Sequence, residues 1–291
     1  QTLLCLHGGG PGATGWGNFG GNAEDLGDRY RVIVPDLPGF GDSRALVDNG
    51  GSYVELAVRA LVPLMDQLDL ESPIVIGNSM GGGVALTLAA LHPDRVGSMV
   101  LMGCWIPGIG VRIYSPQAIT LLEDYYQPEP TPEKMRALLE AMVYSPDFDG
   151  ADELIRSRYE RSLDPAIRMG YERANLGARP DFGGRNPYDV IGGIEHPTLL
   201  LWGRDDRFCA LDEAFLYMTL LRNADLTLFG ETGHWVMIER RAEFAAYVDA
   251  LHRDPQVAVD VGRAGQRVAA PHGPAVHRRA RHPQREVLAG L

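Results

Sequence analysis

The chain is poor in lysine, in cysteine and in long apolar runs. It has a single lysine, Lys134, and its 27 Lys and Arg face 38 Asp and Glu, a net charge of −11 over 291 residues. An acidic chain meets nucleic acid and anionic membranes across a repulsive field, so neither is expected as a partner. Any anionic ligand must then meet a local arginine. The three cysteines, Cys5, Cys104 and Cys209, form no CxxC pair and no cluster with histidine. A disulfide scaffold or a zinc site is therefore not expected, and a reducing, cytoplasmic setting is. No apolar run reaches the roughly 18 residues of a membrane-spanning helix.

What is present is an alternation. Short β-rich runs at 3–7, 31–36, 73–77, 98–103, 198–203 and 225–230 read as strands buried on both faces of a parallel sheet. Helical periodicity occupies 53–68, 80–91 and 240–252 between and after them. The order predicts an α/β, doubly wound sheet. One interval interrupts it, with no strand signal but helical stretches at 133–143, 152–163 and 166–178. The expected organisation is therefore a core in two parts, 1–103 and 196–253, with a helical cap at 104–195 inserted before the last two strands. The residues from 254 to 291 change character, with six Arg against three acids and four prolines. They read as a disordered or non-native tail. The chain opens inside an apolar strand, and no signal peptide is expected.

The sharpest motif is Gly77-Asn78-Ser79-Met80-Gly81, a G-x-S-x-G sequence between a strand and a helix. Such a turn holds a serine in a strained conformation with small residues on either side, and points helix N–H groups at it. The plain alternative is a tight glycine turn with an incidental serine. A serine needs a base. Of eight histidines, three lie in the tail. His92 and His252 sit at helix ends, His196 at a strand entrance, and His7 beside a glycine loop that it would order. His234, after the last strand, is where a base must sit to reach Ser79. An acid to orient it is expected after the preceding strand, at Asp206 or Asp205. The chain order Ser, Asp, His suits this arrangement. Two backbone donors must face the developing oxyanion. Met80 supplies one, and the glycines of His7-Gly8-Gly9-Gly10-Pro11-Gly12 the other. A rival reading takes Gly8-x-Gly10-x-x-Ala13 with Asp36 as a dinucleotide fingerprint, but leaves Ser79 and His234 unexplained.

HGGGPGATGWGNF, VPDLPGFGDS, IGNSMGGGVAL, LHPDRVGSMVLMG, WGRDDRF and GHWVMIE together resemble the α/β-hydrolases that cleave meta-cleavage products. These are cofactor-independent C–C bond hydrolases of bacterial aromatic and steroid degradation. The likeness runs over about residues 2–252. It implies Ser79 as nucleophile, Asp206 as acid and His234 as base, with Gly9 and Met80 as oxyanion donors. Asn78, Asn18, Phe208 and Trp235 fall on positions lining the family's site. A cap arginine grips the substrate carboxylate in the family; Arg158 is the expected match, with Arg156 as the alternative. The implied substrates are 2-hydroxy-6-oxohexa-2,4-dienoates, small anionic molecules cleaved to 2-hydroxypenta-2,4-dienoate and a carboxylic acid. The 6-substituent stays open, as does assembly, a homo-oligomer being one expectation. The chain departs from the family in lacking its N-terminal edge strands and in its tail. A carboxylesterase or lactonase on the same scaffold is the nearest alternative, and a non-catalytic ligand-binding protein the next.

Overall fold

The computed structural model describes residues 1–44, 51–109, 115–148, 150–175 and 178–254. The tail assigned to 254–291 lies outside the described residues from 255 onward.

Six strands form one sheet: β1 (Thr2–Leu6), β2 (Arg31–Ile33), β3 (Ile74–Asn78), β4 (Ser98–Met102), β5 (Thr198–Gly203) and β6 (Ala224–Phe229). Their order is β2-β1-β3-β4-β5-β6, and every pairing is parallel. The central strands β3, β4 and β5 are buried at every position. That is why they read as continuous apolar runs rather than as alternation. The second run stops pairing at Ile33, short of the expected 36. Pro35 follows closely and has no N–H to give a ladder.

The helices are α1 (Gly15–Leu26), α2 (Tyr53–Gln67), α3 (Met80–Leu91), α4 (Pro116–Glu123), α5 (Pro132–Met142), α6 (Ala151–Ser162), α7 (Pro165–Asn175), α8 (Pro187–Gly192), α9 (Leu211–Leu220), α10 (Val236–Glu239) and α11 (Arg241–Arg253). α3 is apolar on every side because it lies between β3 and α2. α1 was not expected, because four of its residues are glycines, each a weak helix former. Thr14 starts it by accepting from the Gly17 N–H at 2.9 Å. The terminal helix expected at 240–252 is preceded by the separate short α10. No described helix is long and apolar enough to cross a membrane.

α4 to α8 form one insertion between β4 and β5. Four of them start on the same device, a side-chain cap followed by proline: Ser115-Pro116, Thr131-Pro132, Asp164-Pro165 and Asn186-Pro187. The insertion rests on the loops at the carboxyl ends of the strands, and three of its contacts are main chain on main chain. Gly12, after β1, lies against the Arg158 carbonyl. Gly170 of α7 lies against Gly39, after β2. Gly233, after β6, lies against the end of α5, where a Cβ would sit 2.8 Å from the Met142 carbonyl oxygen. None of the three cysteines is in a disulfide, and all three are buried in the core. Burial pushes the Cys5 thiol up to about 12 and raises that of Cys104 as well.

Candidate active site

Ser79 sits between β3 and α3 with φ 55° and ψ −120°, outside the regions open to most side chains. The turn is possible because Gly81 packs directly on the Leu6 carbonyl of β1, where no Cβ fits. Ser79 N–H donates to the Met102 carbonyl at 2.8 Å and fixes the turn to β4.

His234 follows β6 and is almost wholly buried, as is Asp206, which follows β5. His234 Nδ1 lies 2.8 Å from Asp206 Oδ2. An ionised carboxylate can only accept, so this contact places the proton on Nδ1 and leaves Nε2 as the basic nitrogen. Asp206 Oδ1 accepts from the N–H groups of Phe208 at 2.8 Å and Cys209 at 2.9 Å, which locks the carboxylate in place. Asp205 turns outward to Arg204, with 3.4 Å between them. Of the two acids, Asp206 is therefore the one joined to His234. Among the described residues no hydrogen bond links the Ser79 hydroxyl to His234. Catalytic hydrogen bonds of this kind are often long in unliganded sites.

The two residues expected to donate to the oxyanion lie on the chain after Ser79 and on the neighbouring glycine loop. Met80 is the first residue of α3, so its N–H has no carbonyl four residues back. A Cβ on Gly9 would lie 3.4 Å from Met80 Sδ, which places Gly9 beside it. Neither N–H has a hydrogen-bond partner among the described residues. His7 orders this loop. Its Nε2 accepts from the Leu37 N–H at 2.9 Å, so Nδ1 carries the proton and donates to the Gly8 carbonyl at 2.8 Å. Burial holds its pKa below the ordinary value. Asp36 has its carboxylate taken up by the N–H groups of Gly15 and Asp42. It clamps two loops and is not offered to a ribose, so the dinucleotide reading of the glycines falls.

Asn78 is fully buried and donates to the carbonyls of Met102 and His234, both at 3.2 Å. Asn18 donates to Asn78 Oδ1 at 3.5 Å. Phe208 and Trp235 are buried, and the Phe208 ring lies 5.5 Å from the His234 ring.

Arg158 on α6 is only 4% exposed. Its Nε and Nη2 both donate to the Pro11 carbonyl, at 3.2 and 3.1 Å, and its guanidinium lies 5.7 Å from the Trp235 ring centroid. No carboxylate pairs with it among the described residues, and burial lowers its pKa to about 10. It is thus still a cation at neutral pH. Arg156 is 60% exposed and pairs with Glu153 and Glu160. It belongs to the outer face of α6, which removes it as the alternative.

Two features were not foreseen. Gly103, which follows β4, has φ +49°, and a Cβ there would lie 2.6 Å from His234 Nδ1 and Cε1. The His–Asp pair packs over its bare Cα. The signal in the sequence was a glycine closing an apolar strand. The other is Glu239, which accepts from Gly233 next to His234.

Fold and site together define a hydrolase built on a nucleophile elbow. The profile of the alpha/beta hydrolase fold family matches residues 1–241. The 2-hydroxy-6-oxononadienedioate/2-hydroxy-6-oxononatrienedioate hydrolase of Cupriavidus pinatubonensis is 38% identical over 252 residues, 84% of each chain. Among solved structures, the 2-hydroxy-6-oxo-6-phenylhexa-2,4-dienoate hydrolase of a Rhodococcus species is similar with a TM-score of 0.77 and 30% identity, over 87% of this chain and 90% of that one. The meta-cleavage product hydrolase of Pseudomonas fluorescens gives a TM-score of 0.72 and 30% identity, over 87% and 91%. The chain belongs to the α/β-hydrolase family and, within it, to the meta-cleavage product hydrolases.

Proposed function

We propose that the protein hydrolyses the C5–C6 bond of 2-hydroxy-6-oxo-2,4-dienoates, with Ser79, His234 and Asp206 as its triad. The observation that carries the reading is Arg158. A buried guanidinium without a carboxylate partner is costly unless a ligand supplies the charge. This one lies against Gly10 and Pro11, on the same loop whose Gly8 packs on Ser79. A substrate carboxylate held there gains charge-assisted hydrogen bonds. It meets positive charge where the acidic chain otherwise repels it.

The substrate enol loses its 2-OH proton and gains one at C5, giving the ketone. His234 Nε2 takes the Ser79 proton as the serine oxygen attacks C6. The C6 oxyanion accepts from the N–H groups of Gly9 and Met80. The C5–C6 bond breaks, its electron pair passes through the conjugated chain to the C2 oxygen, and that oxygen takes up the proton released by His234, whose Nε2 is then free to act as base again. Water, deprotonated by His234, hydrolyses the acyl–Ser79 ester to the carboxylic acid. A water activated directly by the triad is the variant of this course. Neither course uses a cofactor. Phe208, Trp235, Asn78 and Asn18 shape the walls.

The names of the relatives at 38% and 37% identity favour a nine-carbon dioate as substrate. A carboxylesterase or lactonase would use the same triad; Arg158, with Trp235 beside it, and the names of the relatives favour the C–C hydrolase. Three buried cysteines, none in a disulfide, support a reducing compartment. The test is decay of the coloured dienolate across dioate, phenyl and alkyl substrates, run beside a neutral aryl ester. Fast ester turnover with an inert dienolate would end the C–C reading.

A further inference from the structure

Glu239 closes α10, and its carboxylate lies among main-chain donors. Oε2 accepts from the Gly233 N–H at 2.7 Å. Oε1 accepts from the N–H groups of Tyr144 at 2.7 Å and Ser145 at 3.3 Å. Gly233 immediately precedes His234, while Tyr144 and Ser145 belong to the segment that leaves α5 of the insertion. A second tie runs alongside, from the His234 N–H to the Met142 carbonyl at 2.7 Å. The two segments touch through bare main chain at Gly233. Partial burial raises the Glu239 pKa, while the three N–H groups and Arg240 oppose that rise. Arg240 holds the far side of the same loop, through Thr232 Oγ1 and the carbonyls of Gly230 and Glu231.

We propose that Glu239 is a positioning residue for His234, which fixes the base by tying its loop to the segment leaving α5. The inference rests on the triad proposed above. One carboxylate oxygen serves the loop of the base and the other serves the insertion, so His234 is placed relative to the helices that carry Arg158. A carboxylate suits this place because it only accepts, and three donors converge on it. Its amide would turn an NH2 group on one set of them.

A fluorophosphonate probe reads the base without requiring a dienoate substrate. Ser79 Oγ displaces fluoride from phosphorus while His234 takes its proton. The rate of labelling per site reports the placement of the base, and the final stoichiometry reports the folded fraction. Glu239→Gln should label to wild-type stoichiometry but roughly 10- to 100-fold more slowly, the scale of a misplaced catalytic group. On dienolate, kcat should fall similarly with KM little changed. Glu239→Asp keeps both oxygens on a shorter reach and should fall between the two; it carries the test if the glutamine variant does not fold. A labelling rate per site within twofold of wild type, or a loss confined to stoichiometry or to KM, overturns the inference alone. A wild-type chain left unlabelled, or Ser79→Ala labelled at the wild-type rate, removes the triad and this inference with it.

Discussion

Arg158 and Pro11, 147 positions apart in the chain, are joined by two hydrogen bonds from one guanidinium to one carbonyl. The bonds hold the insertion to the glycine loop and aim the cation without neutralising it. Arg158→Ala should therefore lower kcat/KM on a dienoate by about 2–4 kcal/mol, the scale of truncating a buried partner of a charge. A neutral aryl ester should be affected far less. Lysine should restore little, because it cannot reproduce the planar fork. Equal losses on both substrates would make Arg158 a support of the loop rather than a carboxylate anchor.

Ser79→Ala should fold as wild type and bind dienoate, while turnover falls on the order of 10⁴–10⁶. Steady-state kinetics with a binding titration checks this. Near-normal turnover would rule out the elbow serine.

The two neighbouring aspartates should separate cleanly. Asp206→Asn removes the acceptor that fixes the His234 tautomer and should cost about 10⁴ in kcat. Asp205→Asn loses only an exposed contact with Arg204, worth about 1 kcal/mol at most. Its kcat should stay close to wild type. The reverse ranking would exchange their roles.

Gly103→Ala should damage activity more than folding. A Cβ at φ +49° meets the imidazole ring, and the conformation itself costs about 1–3 kcal/mol for a residue other than glycine. The expected pair of results is a modest fall in Tm and a large fall in the labelling of Ser79 by a fluorophosphonate. Unchanged labelling would show that the ring has room to move.

His7 makes stability depend on pH. Its pKa is lowered from 6.5 by burial, so near and below that value the unfolded chain binds the proton and the folded one does not. The stabilisation is complete above about pH 6.5 and declines as pH falls towards the lowered native value, by at most about 1.4 kcal/mol per pH unit. Urea unfolding between pH 5 and 7 should show this slope, and a His7→Gln variant should show a flatter one.

The sequence made the strands legible wherever the sheet covers both faces, as at β5, whose bounds are those expected. It made α3 legible to the residue, because Ser79 and His92 punctuate it. α1 was hidden because its glycines are there for packing, as where Gly20 lies against the Trp16 ring, and propensity counts them against a helix. α9 carries little one-sided apolar pattern, since Phe215 and Met218 are exposed. In the site, motifs identified side chains that present an atom, such as Ser79 and His234. They were silent on Gly103, whose contribution is the absence of atoms. Glu239 was equally silent, since the helical run that contains it does not reveal which backbone it will meet.

The seam between insertion and core, at Gly12, Gly170 and Gly233, has a consequence for exchange between relatives. Where main chain rests on main chain, no rotamer can adjust, and a misfit of one methyl group has nowhere to go. Phe208 and Trp235, which meet the side chains of His234 and Arg158, can be swapped singly, since a side chain opposite can shift its rotamer. The insertion as a whole can be transplanted only with its docking points matched: a glycine at the position of Gly170, and clear backbone opposite Gly12 and Gly233. Chimaeras cut at the ends of 104–195 should thus fail or succeed by their glycines, independently of the substrate they were meant to accept.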